Sequence, residues 1–191
     1  MYSLTGRLNT IAFNTLLILT FLSTLNYFSV YFYQKQPVLL KGLEIRDFDT
    51  FVKDNYINED AMSFQFDLKV DLRPLFNWNT NIIFVYLSCE FNTTKSQLNQ
   101  ITFWDQRVQR FESQHHILDL QGEYPEYYMT DINKDLRDKE LTCYINWEQM
   151  PIVGASFGSR MEIGKIKTPK NYISKSRRKY YPGPEGRESN Y

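Results

Sequence analysis

Few residues of this 191-residue chain stand where they could do chemistry. The two histidines, His115 and His116, are neighbours in the polar run ESQHHIL. If that run is extended, they point to opposite faces and cannot share one catalytic or metal site, so exposed loop positions are expected. No G-x-S-x-G, H-E-x-x-H or glycine-rich phosphate loop occurs, and 8 glycines leave little for a phosphate cradle. Carboxylates are scattered along the chain, and linear order does not pair them. Cys89 and Cys143 are too few for a disulfide scaffold and lack metal-site spacing. One bridge between them can form in an oxidising compartment, but each lies in an apolar, strand-like run that favours a buried free thiol. One modification signal remains: Asn92-Thr93-Thr94 fits the N-x-[ST] acceptor rule and is the chain's only match. It matters only if this part of the chain lies outside the cytosol.

A segment near the start bears on that question. From Leu8 to Gln34 there is no charged residue. The stretch LNTIAFNTLLILTFLSTLNYFSVYFYQ exceeds the roughly 20 residues a membrane-spanning helix needs and is too long for a signal-peptide core. Tyr27, Phe28, Tyr31, Phe32 and Tyr33 read as an interfacial aromatic belt rather than a cleavage site, so the segment is expected to stay as an anchor over 11–33. Asn14 can bond a neighbouring helix or be accommodated within its own, and Asn26 is expected at the interface. Positive charge does not orient the segment, with Arg7 before it and Lys35 and Lys41 after. If Asn92 carries a sugar, 1–10 is cytosolic and everything after the anchor is lumenal.

The elements after the anchor read as strands. In MSFQFDLKVDL, Met62, Phe64, Phe66, Leu68, Val70 and Leu72 alternate with Ser63, Gln65, Asp67, Lys69 and Asp71, giving one buried and one wet face. On that reading Phe66→Asp unfolds the domain and Asp67→Ser is nearly silent. IIFVYLSCEF is apolar on both faces, like a central strand, and a polar hairpin NTTKSQLNQ returns it into ITFWDQRV. ELTCYINW places Leu141, Cys143, Ile145 and Trp147 on one face, while VLLKGLEI reads as a first strand and RMEIGKIK as a weaker last one. From about Glu112 to Lys139 the chain is polar and irregular, broken by Gly122 and Pro125. Short strands between turn signals predict an all-β antiparallel sandwich over 34–173, preceded by one transmembrane α-helix.

Charge divides the chain although its formal sum is zero. Between Glu44 and Glu162 there are 20 acids and 11 bases, a net of −9, which argues against a nucleic-acid groove. From Ile163 to Pro184 there are 7 bases and no acid. The tail 174–191 reads as basic and disordered, with contact to anionic lipid or an acidic partner as the alternative.

The runs DLRPLFNWNT, FVYLSCEFNTT, ITFWDQRV and YINWEQMPIVG, behind a short N-terminus and one anchor, resemble subunit 3 of the eukaryotic signal peptidase complex from the anchor to about Thr168. The resemblance implies a single-pass type II protein of the endoplasmic reticulum with a lumenal β-sandwich and a glycosylation site at Asn92. It implies no catalytic, cofactor or metal residue in this chain, and a supporting role for a separate catalytic subunit that cleaves signal sequences. The implied partners are that subunit, the other subunits and membrane lipid, but no nucleic acid; contact with preprotein signal peptides stays open. Cys89 and Cys143 fall at positions that look small or apolar in the family, which again favours free thiols. Trp78 and Trp104 are expected in the core or at a subunit contact, with the core favoured. The alternative is a stand-alone membrane-anchored lumenal binding module.

Overall fold

The structure, a computed structural model, describes residues 3–33, 35–54, 59–93 and 95–174. It opens with a 28-residue helix, α1 (Leu4–Tyr31), long and apolar enough to cross a membrane. Ser3 caps it, its Oγ accepting from Gly6 N at 3.2 Å. Inside the helix Thr10, Thr20 and Thr24 donate their hydroxyls to the carbonyls four residues back. Those groups are therefore satisfied within the helix. Asn14 is exposed on its surface.

Nine strands follow among the described residues: β1 (Val38–Asp54), β2 (Glu59–Asp71), β3 (Thr80–Phe91), β4 (Asn99–Gln109), β5 (Ile117–Glu123), β6 (Met129–Asp131), β7 (Glu140–Pro151), β8 (Phe157–Lys167) and β9 (Ile173–Ser174). They form two antiparallel sheets. One has the order β5-β2-β1-β9, with β6 also paired to β2; the other has the order β4-β3-β7-β8. The all-β expectation holds, as does the preceding apolar helix.

The alternating run lies in β2 with the expected face inward. Phe64, Phe66, Leu68, Val70 and Leu72 are fully buried and meet Ile83, Val85 and Leu87 of β3 and Ile145 of β7 in one core. Phe103 of β4 packs its ring 5.4 Å from Phe66 and 5.6 Å from Phe64. Each such side chain contributes roughly 1.5–3 kcal/mol on burial.

Four expectations need correction. The first concerns the outer face of β2: Ser63, Asp67 and Asp71 are buried, with Lys41 and Arg46 of β1 and the Gly122 N–H of β5 closing on Asp67, and Arg73 on Asp71. The second concerns 112–139, which contains β5 and β6. Both pair with β2 along the same edge, and backbone pairing to an apolar strand orders a segment whose own sequence carries little period-two signal. Third, the histidine run is not extended. Ser113–His115 is a 3₁₀ turn, and His116 stacks on Phe76, centroids 4.1 Å apart. His115 is exposed beside Glu112, 3.7 Å away.

Fourth, Cys89 and Cys143 form a disulfide. They are direct partners in the β3–β7 register, with Cα atoms 4.0 Å apart. Both side chains point into the core, so the apolar setting that favoured free thiols is equally the setting of a buried bridge. Trp104 lies in the core as expected, whereas Trp78 is 47% exposed. The basic tail beyond Ser174 and the acceptor hydroxyl residue Thr94 lie outside the described residues.

Candidate functional site

The chain's functional geometry centres on the place where α1 meets the sandwich. Over most of its length α1 is exposed, but Ser23, Asn26, Tyr27 and Val30 are at least half-covered. These positions are spaced i, i+3, i+4, i+7, one face of a helix. The sandwich presents two loops to that face: Trp78-Asn79 just before β3, and the β7–β8 hairpin around Gly154.

Asn79 organises the contact. It is buried, and its side chain closes both loops: Nδ2 donates to Val153 O at 2.7 Å, while Oδ1 accepts from Val153 N at 3.1 Å. The same Oδ1 accepts from Asn26 Nδ2 of α1 at 3.1 Å. Asn79 is itself fixed by its neighbour, since Asn77 Oδ1 accepts from the backbone N–H of Asn79 and of Thr80. The turn NWNTN therefore does more than end a loop: its asparagines hold the helix. Asn26 bonds neither another helix nor only its own backbone; its partner is the sandwich.

Aromatic contacts flank this bond. The Tyr27 ring stacks on Phe157 of β8, centroids 5.6 Å apart and 14° from parallel. Tyr33 meets Trp78 edge-on at 5.1 Å, and the Trp78 indole N–H donates to Ser29 Oγ at 3.3 Å. Gly154 has φ +105°, a conformation that favours glycine, and a Cβ there would come within 2.3 Å of the Tyr27 ring. The Asn26–Asn79 bond, two ring contacts, one indole hydrogen bond and one glycine thus fix the direction of the helix relative to the sheets.

A separate, charged cluster braces the outer face of the first sheet. Asp67 Oδ1 accepts from Gly122 N at 2.7 Å and from Arg46 Nε at 2.6 Å, and its Oδ2 from Lys41 Nζ at 3.0 Å. The Gly122 N–H, then Arg46 and Lys41, hold this carboxyl down to about 2. Gly122, at φ +63°, lies where the β2–β5 register shifts, and this bulge turns its N–H toward Asp67. Lys69 pairs with Asp119 alongside, at 2.6 Å. These positive groups are matched by carboxylates, so the face is a brace between strands.

Asn92, the expected sugar acceptor, is exposed immediately after Phe91 at the end of β3. The turn beyond it is tied by Thr93, whose Oγ1 accepts from Ser96 N at 3.0 Å. Because α1 docks at the start of β3, the length of that strand, about 36 Å at the usual rise, separates Asn92 from the junction. Among the described residues no group of three or more His, Cys, Asp and Glu is placed to hold a metal ion.

A sequence model described as "Signal peptidase subunit" matches residues 1–171. The chain belongs to the signal peptidase subunit family. Relatives within it carry the name "Signal peptidase complex subunit 3". One from Saccharomyces cerevisiae is 35% identical over 50% of this chain and 52% of its own length. One from Yarrowia lipolytica is 32% identical over 58% and 60% respectively. A third, from Dictyostelium discoideum, is 28% identical over 92% of the chain and 99% of its own length. The chain thus spans between half and two thirds of the first two relatives. In family terms, the stretches FNWNT and EQMPIVG that carry the resemblance contain Asn77, Asn79 and Gly154, the residues that seat the helix. Asn26 was legible as a polar residue in an apolar helix, but nothing in the linear sequence pointed to Asn79 as its partner.

Proposed function

We propose that this chain is a non-catalytic subunit of the signal peptidase complex. In this reading it supports a separate catalytic subunit that cleaves signal sequences from proteins entering the endoplasmic reticulum. Residues 1–10 are cytosolic, α1 spans the membrane over 11–33, and the sandwich stands in the lumen. The observation that carries the role is the rigid junction: Asn26 bonded to Asn79 and Tyr27 stacked on Phe157. A protease acting beside a bilayer needs its site at a fixed height, and a sandwich locked to its own anchor can set that height. A flexible tether would suffice for a module that only captures ligands.

Two features at the far end of β3 support the lumenal side. The Cys89–Cys143 bridge suits an oxidising compartment, and Asn92, three residues further on, is exposed and far from the junction, with room for a glycan. The test uses tagged full-length chain in microsomes. The sandwich should resist added protease until detergent is present, and glycosidase should shift the wild type but not Asn92→Gln. The chain should also co-purify stoichiometrically with a protease subunit in mild detergent, while showing no cleavage of preprotein when isolated. Digestion in intact microsomes would refute the topology, and robust cleavage by the chain alone would refute the supporting role.

A further inference from the structure

We propose that the end of the sandwich facing α1 is a lipid-contacting surface, with Trp78, Phe111 and Ile152 seated in the interface of a phospholipid bilayer as a second attachment beside the helix. The inference rests on α1 spanning the membrane and adds to it how the folded domain sits.

The three residues come from one end of the second sheet, at the termini of neighbouring strands. Arg110 N donates to Asn81 O at 3.0 Å, which places Phe111 just past the end of β4, beside the start of β3. Thr80 pairs with Pro151, and Ile152 N donates to Asn79 O at 2.7 Å, which places Ile152 just past the end of β7. Trp78 lies two residues before β3. Since β4, β3 and β7 are adjacent in the sheet, the three side chains stand in a row about 10 Å long at the usual strand spacing. Phe111 is 89% exposed and Ile152 62%. The exposed ring of Tyr33, against Trp78, continues the row onto the helix end. A contiguous apolar rim of this kind marks a membrane or protein contact rather than a wet surface.

The helix supplies the height. Counting from Ile11, where the anchor begins, the roughly 20 residues of a hydrocarbon span end near Val30, within one turn of Tyr27. Tyr27 is the residue against which Gly154 packs. An open groove of about 430 Å³ runs from Val153 and Gly154 back along the helix to Leu16, some 16 Å before Tyr27 at the helical rise. The β7–β8 hairpin therefore reaches the level where hydrocarbon gives way to headgroups, and its exposed large apolar side chain there is Ile152. Aromatic side chains favour that layer. Arg110 is compatible with it, because its Nη1 donates to Trp78 O at 2.9 Å while its stem lies along apolar surface and the rest of its guanidinium can meet headgroups.

The test reconstitutes the full-length chain in phosphatidylcholine vesicles with and without brominated acyl chains. An environment-sensitive fluorophore is attached at Phe111→Cys, at Ile152→Cys, and at Leu98→Cys in the distal β3–β4 loop. The rim labels should emit to the blue of the Leu98 label and lose intensity in brominated lipid, while the Leu98 label does neither. Native tryptophan emission should likewise lose a component in brominated lipid that Trp78→Phe removes, since Trp104 and Trp147 are buried in the sandwich. Rim labels that emit like the Leu98 label overturn the proposal. So do rim labels that shift to the blue without quenching, which would mean that protein covers the rim. Alkaline carbonate extraction separates the two readings: a chain that stays with the vesicles but shows no quenching refutes only the lipid contact, and one that washes out refutes the anchor as well.

Discussion

The Cys89–Cys143 bridge should be a major source of the sandwich's stability, and its size can be worked from topology. The two cysteines are 54 residues apart. The chain between them carries β4, β5 and β6, so in the unfolded state the bridge closes a loop holding three of the strands. Loop-closure entropy for that length gives about 4 kcal/mol, between the values for short and very long loops. For a domain of this size each kcal/mol moves the midpoint by roughly 3 °C, so removing the bridge should lower Tm by about 12 °C. The assay is thermal unfolding of full-length chain in detergent micelles, followed at the β-sheet band, with and without reductant. Reduced wild type is the cleaner comparison, since Cys89→Ala with Cys143→Ala adds a packing loss at two fully buried positions. The double variant should therefore melt lower than reduced wild type, and both lower than oxidised wild type. Coincident oxidised and reduced melts would refute the entropic argument. Alkylation of two thiols in denatured, unreduced protein would refute the bridge itself.

Other perturbations separate the core from its outer faces. Phe66→Asp should abolish folding, read as loss of soluble, detergent-extractable chain, because it puts a charge among fully buried rings. Asp67→Ser, which alternation alone makes silent, should instead lower the melting midpoint, because it takes the carboxylate from Arg46 and the Gly122 N–H and leaves Lys41 with Glu44 alone. The carboxyl of Asp67 is held below its ordinary value of 3.8 to about 2, so its contribution is complete above about pH 4 and is lost as pH falls toward 2. Wild type should lose stability across that window and Asp67→Asn should lose less, as read by melts at stepped pH. Asn79→Ala should cost about 1–3 kcal/mol in denaturant titration, because it leaves Val153 N and O and Asn26 without a shared partner. Gly154→Ala should loosen the junction, raising the protease sensitivity of the chain between α1 and β1 without altering the melt of the sheets.

How much of this was legible depended on whether the signal was local. Period-two alternation over 62–72 gave the buried face of β2 residue by residue, because side-chain direction in a strand follows from the backbone. It did not give the fate of the other face. Whether Asp67 meets water is decided by Lys41 and Arg46 of β1 and Gly122 of β5, all distant in sequence. For the same reason β5 and β6 were hidden, since their order comes from pairing with β2 rather than from their own residues. The cysteines show the limit most clearly. Each stood in an apolar strand, which was correctly read, but only the β3–β7 register puts one opposite the other.

The junction follows the same logic and ties fold to role. An asparagine near the end of an apolar helix is costly if its amide finds no partner where water is scarce. Asn79 resolves this by offering an acceptor already oriented by the bonds that join the two loops of the sandwich. Asn26 is thereby stabilised only in one direction of approach, so the group that would otherwise weaken the helix selects the angle at which the sheets stand on it. Tyr27 on Phe157 and Gly154 under Tyr27 enforce that angle sterically. A domain serving merely as a tethered weight would gain nothing from such a lock, whereas one that sets a partner's height above a bilayer depends on it.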